Sequence, residues 1–237
     1  MIRDNIEVVL RNIDAIIKKS GRAEGEVKLI AVSKTFGRDA VLAAIDADIK
    51  EFGENRIQEA KDKIESIDSA VRWHFIGHLQ SNKANIAAQL FDVIHSVDSA
   101  KLARQLDKYS GMLGKTLEVL LQVNIGNESQ KSGVDPVDAQ GVAEEIIKFE
   151  NIKLTGLMAI PPYSLDKEVT REHYRRLREL KDSINNKLGE VKLTELSMGM
   201  SNDFDLAIME GATYIRVGSA IFGERKRNAS PNNKITI

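Results

Sequence analysis

The stretch Glu26-Val27-Lys28-Leu29-Ile30-Ala31-Val32-Ser33-Lys34-Thr35-Phe36 indicates how this chain folds. Its centre, residues 29–32, is a continuous apolar run with β-branched side chains, and the sequence turns polar directly after it. A run that is apolar at successive positions, without alternation, is typical of a strand in a parallel sheet that is covered on both faces. Lys34 therefore stands at the carboxyl end of a predicted buried strand.

Strand-like and helix-like segments alternate along the rest of the chain. Strands are predicted at residues 27–33, 49–53, 72–76, 93–97, 117–123, 153–158, 193–198 and 214–217. Helices are predicted between them at residues 39–45, 56–64, 80–90, 100–109, 137–149, 167–188 and 203–208, with a further short one after Ser219. Strands that alternate with helices pair in parallel through right-handed crossovers.

Eight such units in 237 residues predict an α/β fold of the (β/α)8 TIM-barrel type, which typically has about 250 residues. We expect a single domain over residues 1–237, with an amphipathic helix at residues 1–20 and a polar tail at residues 225–237. The alternative is an open, doubly wound parallel sheet, because the same alternation of elements produces that fold as well.

The composition excludes several classes of protein. Lys and Arg number 34 and Asp and Glu 35, so no nucleic-acid partner is expected. The absence of cysteine excludes disulfides, thiolate metal sites and a cysteine nucleophile. No apolar run approaches the roughly 20 residues of a membrane span, and Asp4, Glu7 and Asp14 interrupt the amino terminus where a signal peptide would be apolar. We expect a cytoplasmic protein and, since no long apolar stripe demands a dimer, a monomer.

Lys34 has two interpretations when it is considered alone. A lysine at a strand end often extends its charge into solvent while its methylene groups pack against the protein. The other interpretation is a Schiff-base lysine, whose unprotonated amine attacks an aldehyde. The segments that follow strands 7 and 8 help to decide between them.

A phosphate site is predicted after the last two strands, where TIM barrels often bind phosphate. Residues 197–203 and 216–223 carry glycine and serine there, including Met200, Ser201, Gly218 and Ser219. Glycine lets backbone N–H groups approach an oxyanion, and a serine hydroxyl adds a further donor. Each serine alone is explained equally well as a helix cap. Together, and opposite Lys34, they favour a phosphate site.

An amine combined with a phosphate pocket is what pyridoxal 5′-phosphate requires. Arg216 would face the ring nitrogen, and its alternative role is a barrel-wall arginine paired with a carboxylate. Because an arginine supplies no proton, the cofactor would be a poorer electron sink than one paired with an aspartate. Asn55, after strand 2, either hydrogen-bonds the cofactor or caps the next helix, and Met200 packs near the ring or fills a gap.

Two other polar stretches face the same end of the predicted barrel. His74 and His78 are spaced like a metal pair, but the spacing spans a strand end and lacks the glutamate of a zincin helix, so no metal is predicted. Lys131, in the loop after strand 5, is expected to be solvated. The sequence assigns no role to His74, His78 or Lys83.

Six motifs together resemble the pyridoxal phosphate homeostasis proteins: AVSK at 31–34, FGEN at 52–55, HFIGHLQSNK at 74–83, GLMAI at 156–160, LSMGMSND at 196–203 and RVGSAIFG at 216–223. They occur in family order and span nearly the whole chain. The resemblance implies the barrel of the alanine racemase N-terminal domain, with Lys34 forming the internal aldimine of pyridoxal phosphate. It further implies that Ser201, Gly218 and Ser219 hold the phosphate and that Arg216 meets the pyridine nitrogen.

Three functions compete at this point. The resemblance implies a protein that buffers or delivers pyridoxal phosphate without substantial turnover, with pyridoxal-dependent apoenzymes as candidate partners. An amino-acid racemase is the second, but racemases with this barrel take a second base from a further β domain, for which too few residues follow residue 223; Tyr163 is the remaining candidate base. The third is a Schiff-base aldolase, which shares the lysine and the phosphate pocket but needs no ring-facing arginine. We expect the first.

Overall fold

Eight parallel strands close into a barrel in which each strand pairs with its neighbour in sequence and the last pairs with the first. This is a computed structural model, and it describes residues 1–128, 130, 132–190 and 192–224. The strands are β1 Lys28–Val32, β2 Glu51–Glu54, β3 Arg72–Phe75, β4 Val93–Val97, β5 Leu117–Gln122, β6 Ile152–Met158, β7 Glu195–Met200 and β8 Tyr214–Val217.

The helices lie outside the strands, as the alternating pattern predicts. Their bounds are α1 Ile2–Ser20, α2 Arg38–Ile45, α3 Ile57–Glu65, α4 Ala84–Leu90, α5 Ala100–Met112, α6 Ala139–Ile146, α7 Lys167–Lys187, α8 Phe204–Met209 and α9 Ser219–Phe222. A 3₁₀ turn, Ser81–Lys83, precedes α4, so the helix predicted to start at residue 80 begins later.

The TIM barrel predicted from the sequence is confirmed, and the open doubly wound sheet is wrong. Residues Lys28 to Ala31 of β1 pair with Tyr214 to Val217 of β8, which closes the sheet and leaves no edge. The predicted carboxyl ends of β1, β2, β3 and β5 differ from the structure by one residue, and that of β7 by two. β7 was predicted to end at residue 198, but it continues to Met200, which pairs with Arg216 after a shift in register.

Two apolar layers hold the barrel together. The larger one fills the space between the strands and the helices, and the smaller one fills the barrel interior with Ile30, Val32, Val93, Leu120, Met158 and Tyr214. Side chains alternate between the two faces of a strand, so Ile30 and Val32 both point into the barrel. Lys34 follows two residues later, in the turn after β1.

The helix at the amino terminus completes the outer ring rather than standing apart. α1 buries Ile6, Val9, Ile13 and Ile17 and packs against α2, α8 and α9. The polar tail predicted at residues 225–237 lies outside the described residues. In the part of the chain that the structure describes, no helix has both the length and the apolarity that a bilayer span requires.

Candidate functional site

A cavity of about 1070 Å³ opens at the carboxyl ends of the strands, the face where TIM barrels carry their active sites. All the site residues predicted from the sequence line this one cavity: Lys34, Asn55, Met200, Ser201, Arg216, Gly218 and Ser219. They come from the ends of β1, β2, β7 and β8, which are far apart in sequence. The closed barrel brings them together because all its parallel strands end on the same side.

The backbone just before Lys34 is held from outside the barrel by a buried ion pair. The Ser33 hydroxyl donates to Glu54 at 2.6 Å, and the Lys63 ammonium donates to the Ser33 carbonyl oxygen at 2.9 Å and to Glu54. Burial raises the pKa of the Glu54 carboxyl, while Lys63 and Ser33 act against that rise. This cluster fixes the end of β1 and with it the starting point of the Lys34 side chain.

Asn55 lies where the backbones of β2 and β3 come very close. A Cβ on Gly77 would stand 2.2 Å from the Asn55 carbonyl oxygen, so only glycine fits at position 77. Asn55 was predicted either to face the cofactor or to cap α3. The residue before α3 is Arg56, and it makes no side-chain cap, so the capping interpretation of Asn55 is wrong.

The segments after β7 and β8 contact each other beside the cavity. The Gly218 N–H donates to the Ser201 hydroxyl oxygen at 3.3 Å, and the Met200 N–H donates to Asp203 at 2.6 Å. Neither serine makes a side-chain cap, because the residues before α8 and α9 are Asp203 and Gly218. The capping alternative for Ser201 and Ser219 is therefore wrong, and both residues line the cavity.

Gly199 is required for the path of β7 towards Ser201. Its φ of +90° lies in the left-handed region, and a Cβ there would stand 2.5 Å from the Cβ of Ala207. A side chain at this position would be strained by the backbone and would push α8 away. The glycine seen in the sequence therefore serves the close packing of α8 against β7.

Arg216 is buried at the floor of the cavity, with 4% of its surface exposed. One guanidinium nitrogen donates to the Ser197 hydroxyl oxygen at 2.6 Å and the other to the Ala159 carbonyl oxygen at 3.0 Å. Burial lowers the pKa of Arg216, and the charges of Tyr174 and Asp203 oppose this shift. Both hydrogen-bond acceptors are uncharged, so Arg216 is not the arginine of a direct carboxylate pair that the alternative interpretation required.

The two histidines that were spaced like a metal pair have separate partners. His74 is fully buried and hydrogen-bonds to His95 and Glu51, whereas the exposed His78 contacts the Ser132 hydroxyl at 3.1 Å. Among the described residues no group of three histidines, cysteines or carboxylates could hold a metal ion. Lys83 lies at a smaller cavity of about 330 Å³, and Lys131 lies outside the described residues.

The sequence reasoning missed His95 and gave no role to Ser197, although both lie directly below the cavity floor. The His95 ring hydrogen-bonds to the Ser197 hydroxyl at 2.8 Å. One signal was available, since His95 interrupts the apolar strand β4 two residues after the inward-facing Val93. A polar side chain on an inward row of a barrel needs a partner. Which partner it has depends on strands that are distant in sequence.

The fold and the cavity define a class of protein, the barrel of alanine racemases. A family model described as "Alanine racemase, N-terminal domain" matches residues 5–226. An alanine racemase of Clostridium difficile aligns with a TM-score of 0.71 and 18% identity, over 95% of this chain and 58% of that one. At 18% identity this structural similarity shows a shared fold and does not show a shared activity.

Closer relatives give the particular family. Proteins named "Pyridoxal phosphate homeostasis protein" from Aquifex aeolicus and Vibrio cholerae are 39% and 41% identical, over 94% and 96% of this chain and 98% and 99% of theirs. PipY of Synechococcus elongatus, solved with pyridoxal phosphate bound, aligns with a TM-score of 0.83 and 37% identity, over 94% of this chain and 100% of PipY. The chain belongs to the pyridoxal phosphate homeostasis protein family, as its motifs predicted.

Proposed function

We propose that this chain binds pyridoxal 5′-phosphate in the large cavity as a Schiff base on Lys34 and serves cofactor homeostasis without substantial turnover. The observation that carries the proposal is that Lys34, Arg216, Ser201 and Ser219 line a single cavity at the carboxyl ends of the strands. The names of the relatives and the cofactor in PipY support it. Apoenzymes that use pyridoxal phosphate are the proposed recipients.

The donors in the cavity fit that cofactor. Ser201 and Ser219 offer two hydroxyls on one side, Lys34 offers a primary amine, and Arg216 offers a buried cation. Between these groups the wall is apolar, with Val32, Ile76 and Leu206 among the lining residues. A dianion, an aldehyde and a planar aromatic ring are the three features that such a set of side chains can accept.

When bound, pyridoxal phosphate supplies an aldehyde that condenses with a primary amine, with loss of one water, and a ring that accepts electrons. Lys34 supplies the amine. Ser201 and Ser219 bind the phosphate, and Gly218 keeps its backbone close to both serines. Asn55 and Met200 also line the cavity.

Arg216 explains why this chain would hold the cofactor rather than use it. An arginine remains protonated in proteins and can only donate, so a ring nitrogen that faces it keeps its lone pair unprotonated. A protonated ring nitrogen draws electrons from a substrate carbon much better than an unprotonated one. The cavity therefore favours binding and retention, and it gives little help to proton abstraction from an amino acid.

We expect Ser201→Ala to weaken binding of pyridoxal phosphate by about 10- to 150-fold, because a hydrogen bond to a charged group contributes roughly 1.5–3 kcal/mol. Binding of unphosphorylated pyridoxal should barely change, since it lacks the dianion. Fluorescence titration with both ligands measures this difference. Ser164→Ala is the matched control, because Ser164 also lines the cavity but follows β6 and does not belong to the segments after β7 and β8. Equal losses for both ligands would contradict a phosphate role for Ser201.

The absence of substantial turnover is tested by proton exchange. We expect the loaded protein to leave L-alanine, L-serine and L-glutamate almost free of deuterium at the α carbon in deuterated water, as measured by mass spectrometry. Without a positioned acid or base, a factor of about 10²–10⁴ in rate is lost. If the wild type exchanges rapidly and Tyr163→Phe abolishes the exchange, the racemase function is favoured instead. Tyr163 is the candidate base because it is exposed and lies at the rim of the cavity.

A further inference from the structure

A line of hydrogen-bonded polar side chains crosses the interior of the barrel below the cavity. Arg216 contacts Ser197 at 2.6 Å, Ser197 contacts His95 at 2.8 Å, His95 contacts His74 at 2.8 Å, and His74 contacts Glu51. Ser197, His95 and His74 are completely buried. The line starts at the floor of the cavity and ends at Glu51, the first residue of β2, at the opposite end of the barrel.

The two ends of this line fix the direction of every hydrogen bond in it. Arg216 can only donate, so the Ser197 oxygen accepts from it, and the hydroxyl hydrogen is available to donate to Nδ1 of a neutral His95. His95 then carries its proton on Nε2 and donates it to Nδ1 of His74. His74 likewise donates from Nε2 to the Glu51 carboxylate, which can only accept. One arrangement satisfies all five groups, with both histidines neutral.

The charges around the histidines agree with that assignment. Burial lowers the pKa of His95 well below its usual value, and the charges of Arg216 and Arg72, and of His74 if it were protonated, lower it further. Burial and Arg72 also lower the pKa of His74, although Glu51 and Asp92 oppose the shift. The remaining ring neighbour, Tyr214, packs edge-on against both histidines.

We propose that Ser197, His95, His74 and Glu51 form a directional hydrogen-bond chain that positions Arg216 as a fixed donor at the cavity floor. The interior residues around this line include the apolar Val93, Leu120 and Met158. A buried polar network that is fully satisfied holds one arrangement, because every alternative leaves a polar group unpaired. That Arg216 meets a pyridine ring rests on the proposed function, whereas the chain of hydrogen bonds does not.

The first test uses the protein without added cofactor. Nitrogen-15 NMR of histidine-labelled protein should show His74 and His95 as neutral Nε2–H tautomers from pH 7 to pH 8. His74→Gln and His95→Gln assign the signals, and the exposed His78 provides a solvent-accessible reference. A protonated ring, or an Nδ1–H tautomer at either buried histidine, would overturn the proposal.

The second test measures whether the chain positions Arg216. In arginine-labelled protein, rotation of the Arg216 guanidinium should be at least about tenfold faster in Ser197→Ala, because a hydrogen bond to a charged group is lost. His74→Gln should also speed this rotation, although His74 does not contact Arg216. Ser96→Ala is the matched control, since Ser96 is equally buried and its hydroxyl has no hydrogen-bond partner. Rotation that is unchanged in both test variants would overturn the proposal.

A cofactor measurement separates this inference from the proposed function. Ser197→Ala should lose about tenfold in affinity for pyridoxal phosphate, whereas Ser96→Ala should match the wild type. Wild-type protein that fails to bind pyridoxal phosphate would refute the proposed function and leave the NMR results on the chain standing. Wild-type binding combined with unchanged affinity in Ser197→Ala would overturn the positioning role.

Discussion

Borohydride reduction of the protein loaded with pyridoxal phosphate is expected to attach a phosphopyridoxyl group to Lys34, and Lys34→Ala is expected to abolish that adduct. Lys34 lies in the turn after β1 and lines the cavity, which is where an aldehyde held by Ser201 and Ser219 would meet an amine. Peptide mass mapping after reduction locates the modified residue. The absorption band of the Schiff base should disappear in the same variant.

The chain offers a matched control for this experiment. Lys167 lines the same cavity, so Lys167→Ala removes a second, more exposed amine without removing the proposed attachment site. We expect this variant to retain both the adduct on Lys34 and the absorption band. The Lys34→Ala protein should still bind the cofactor loosely through its phosphate. An adduct found on Lys167 or on any lysine other than Lys34 would contradict the assignment.

Lys63→Met is expected to lower the free energy of unfolding by about 3–5 kcal/mol at neutral pH, the usual effect of breaking a buried ion pair. Lys63 and Glu54 are both buried, and one oxygen of Glu54 already lacks a hydrogen-bond partner. Without Lys63 the carboxylate would be charged, desolvated and paired only with the Ser33 hydroxyl. Urea unfolding of the variant and the wild type measures the difference.

The pH dependence of this loss follows from the direction of the Glu54 pKa shift. Burial raises the pKa of Glu54 in the folded protein, and Lys63 opposes the rise, so the variant raises it further. The folded state of the variant then binds its proton more tightly than the unfolded chain does. The loss of stability in the variant is therefore largest at pH values above the folded-state pKa of Glu54. It becomes smaller as the pH falls below that pKa, towards the pKa that Glu54 has in the unfolded chain.

Two further variants test the cause of the instability. Lys61→Met removes an exposed lysine from the same helix and should change stability by less than about 0.5 kcal/mol. Combining Glu54→Gln with Lys63→Met removes the buried charge and should restore stability at neutral pH while abolishing the pH dependence. A Lys63→Met deficit that stays constant between pH 5 and pH 8 would show that lost packing, not the unpaired carboxylate, is responsible.

The fold was predictable because its signal is local and repeated. Continuous apolar runs such as residues 29–32 recur between amphipathic helices, and each run indicates a strand that is buried on both faces. The exact ends of the strands were less predictable. β7 runs on to Met200 because its pairing with β8 shifts register, and no residue within the segment reveals such a shift in advance.

The candidate site residues were predictable for the same local reason, since they follow strands, and the carboxyl ends of parallel strands meet on one face. Lys34, Ser201 and Ser219 were identified by position and chemistry alone. Position and chemistry did not decide whether these side chains line a cofactor site or cap a helix. Whether Asn55 or Ser201 caps a helix depends on where that helix begins, which is set by packing as much as by sequence.

The sequence by itself determined the barrel, its order of elements and the group of residues that would line one cavity. Tertiary structure alone decided what lies beneath them. His74, His95, Ser197 and Arg216 are separated by 21, 102 and 19 residues at successive contacts, and Lys63 meets the Ser33 carbonyl oxygen across 30 residues. A hydrogen bond acts over about 3 Å and carries no periodicity along the chain, so only closure of the barrel brings these groups together.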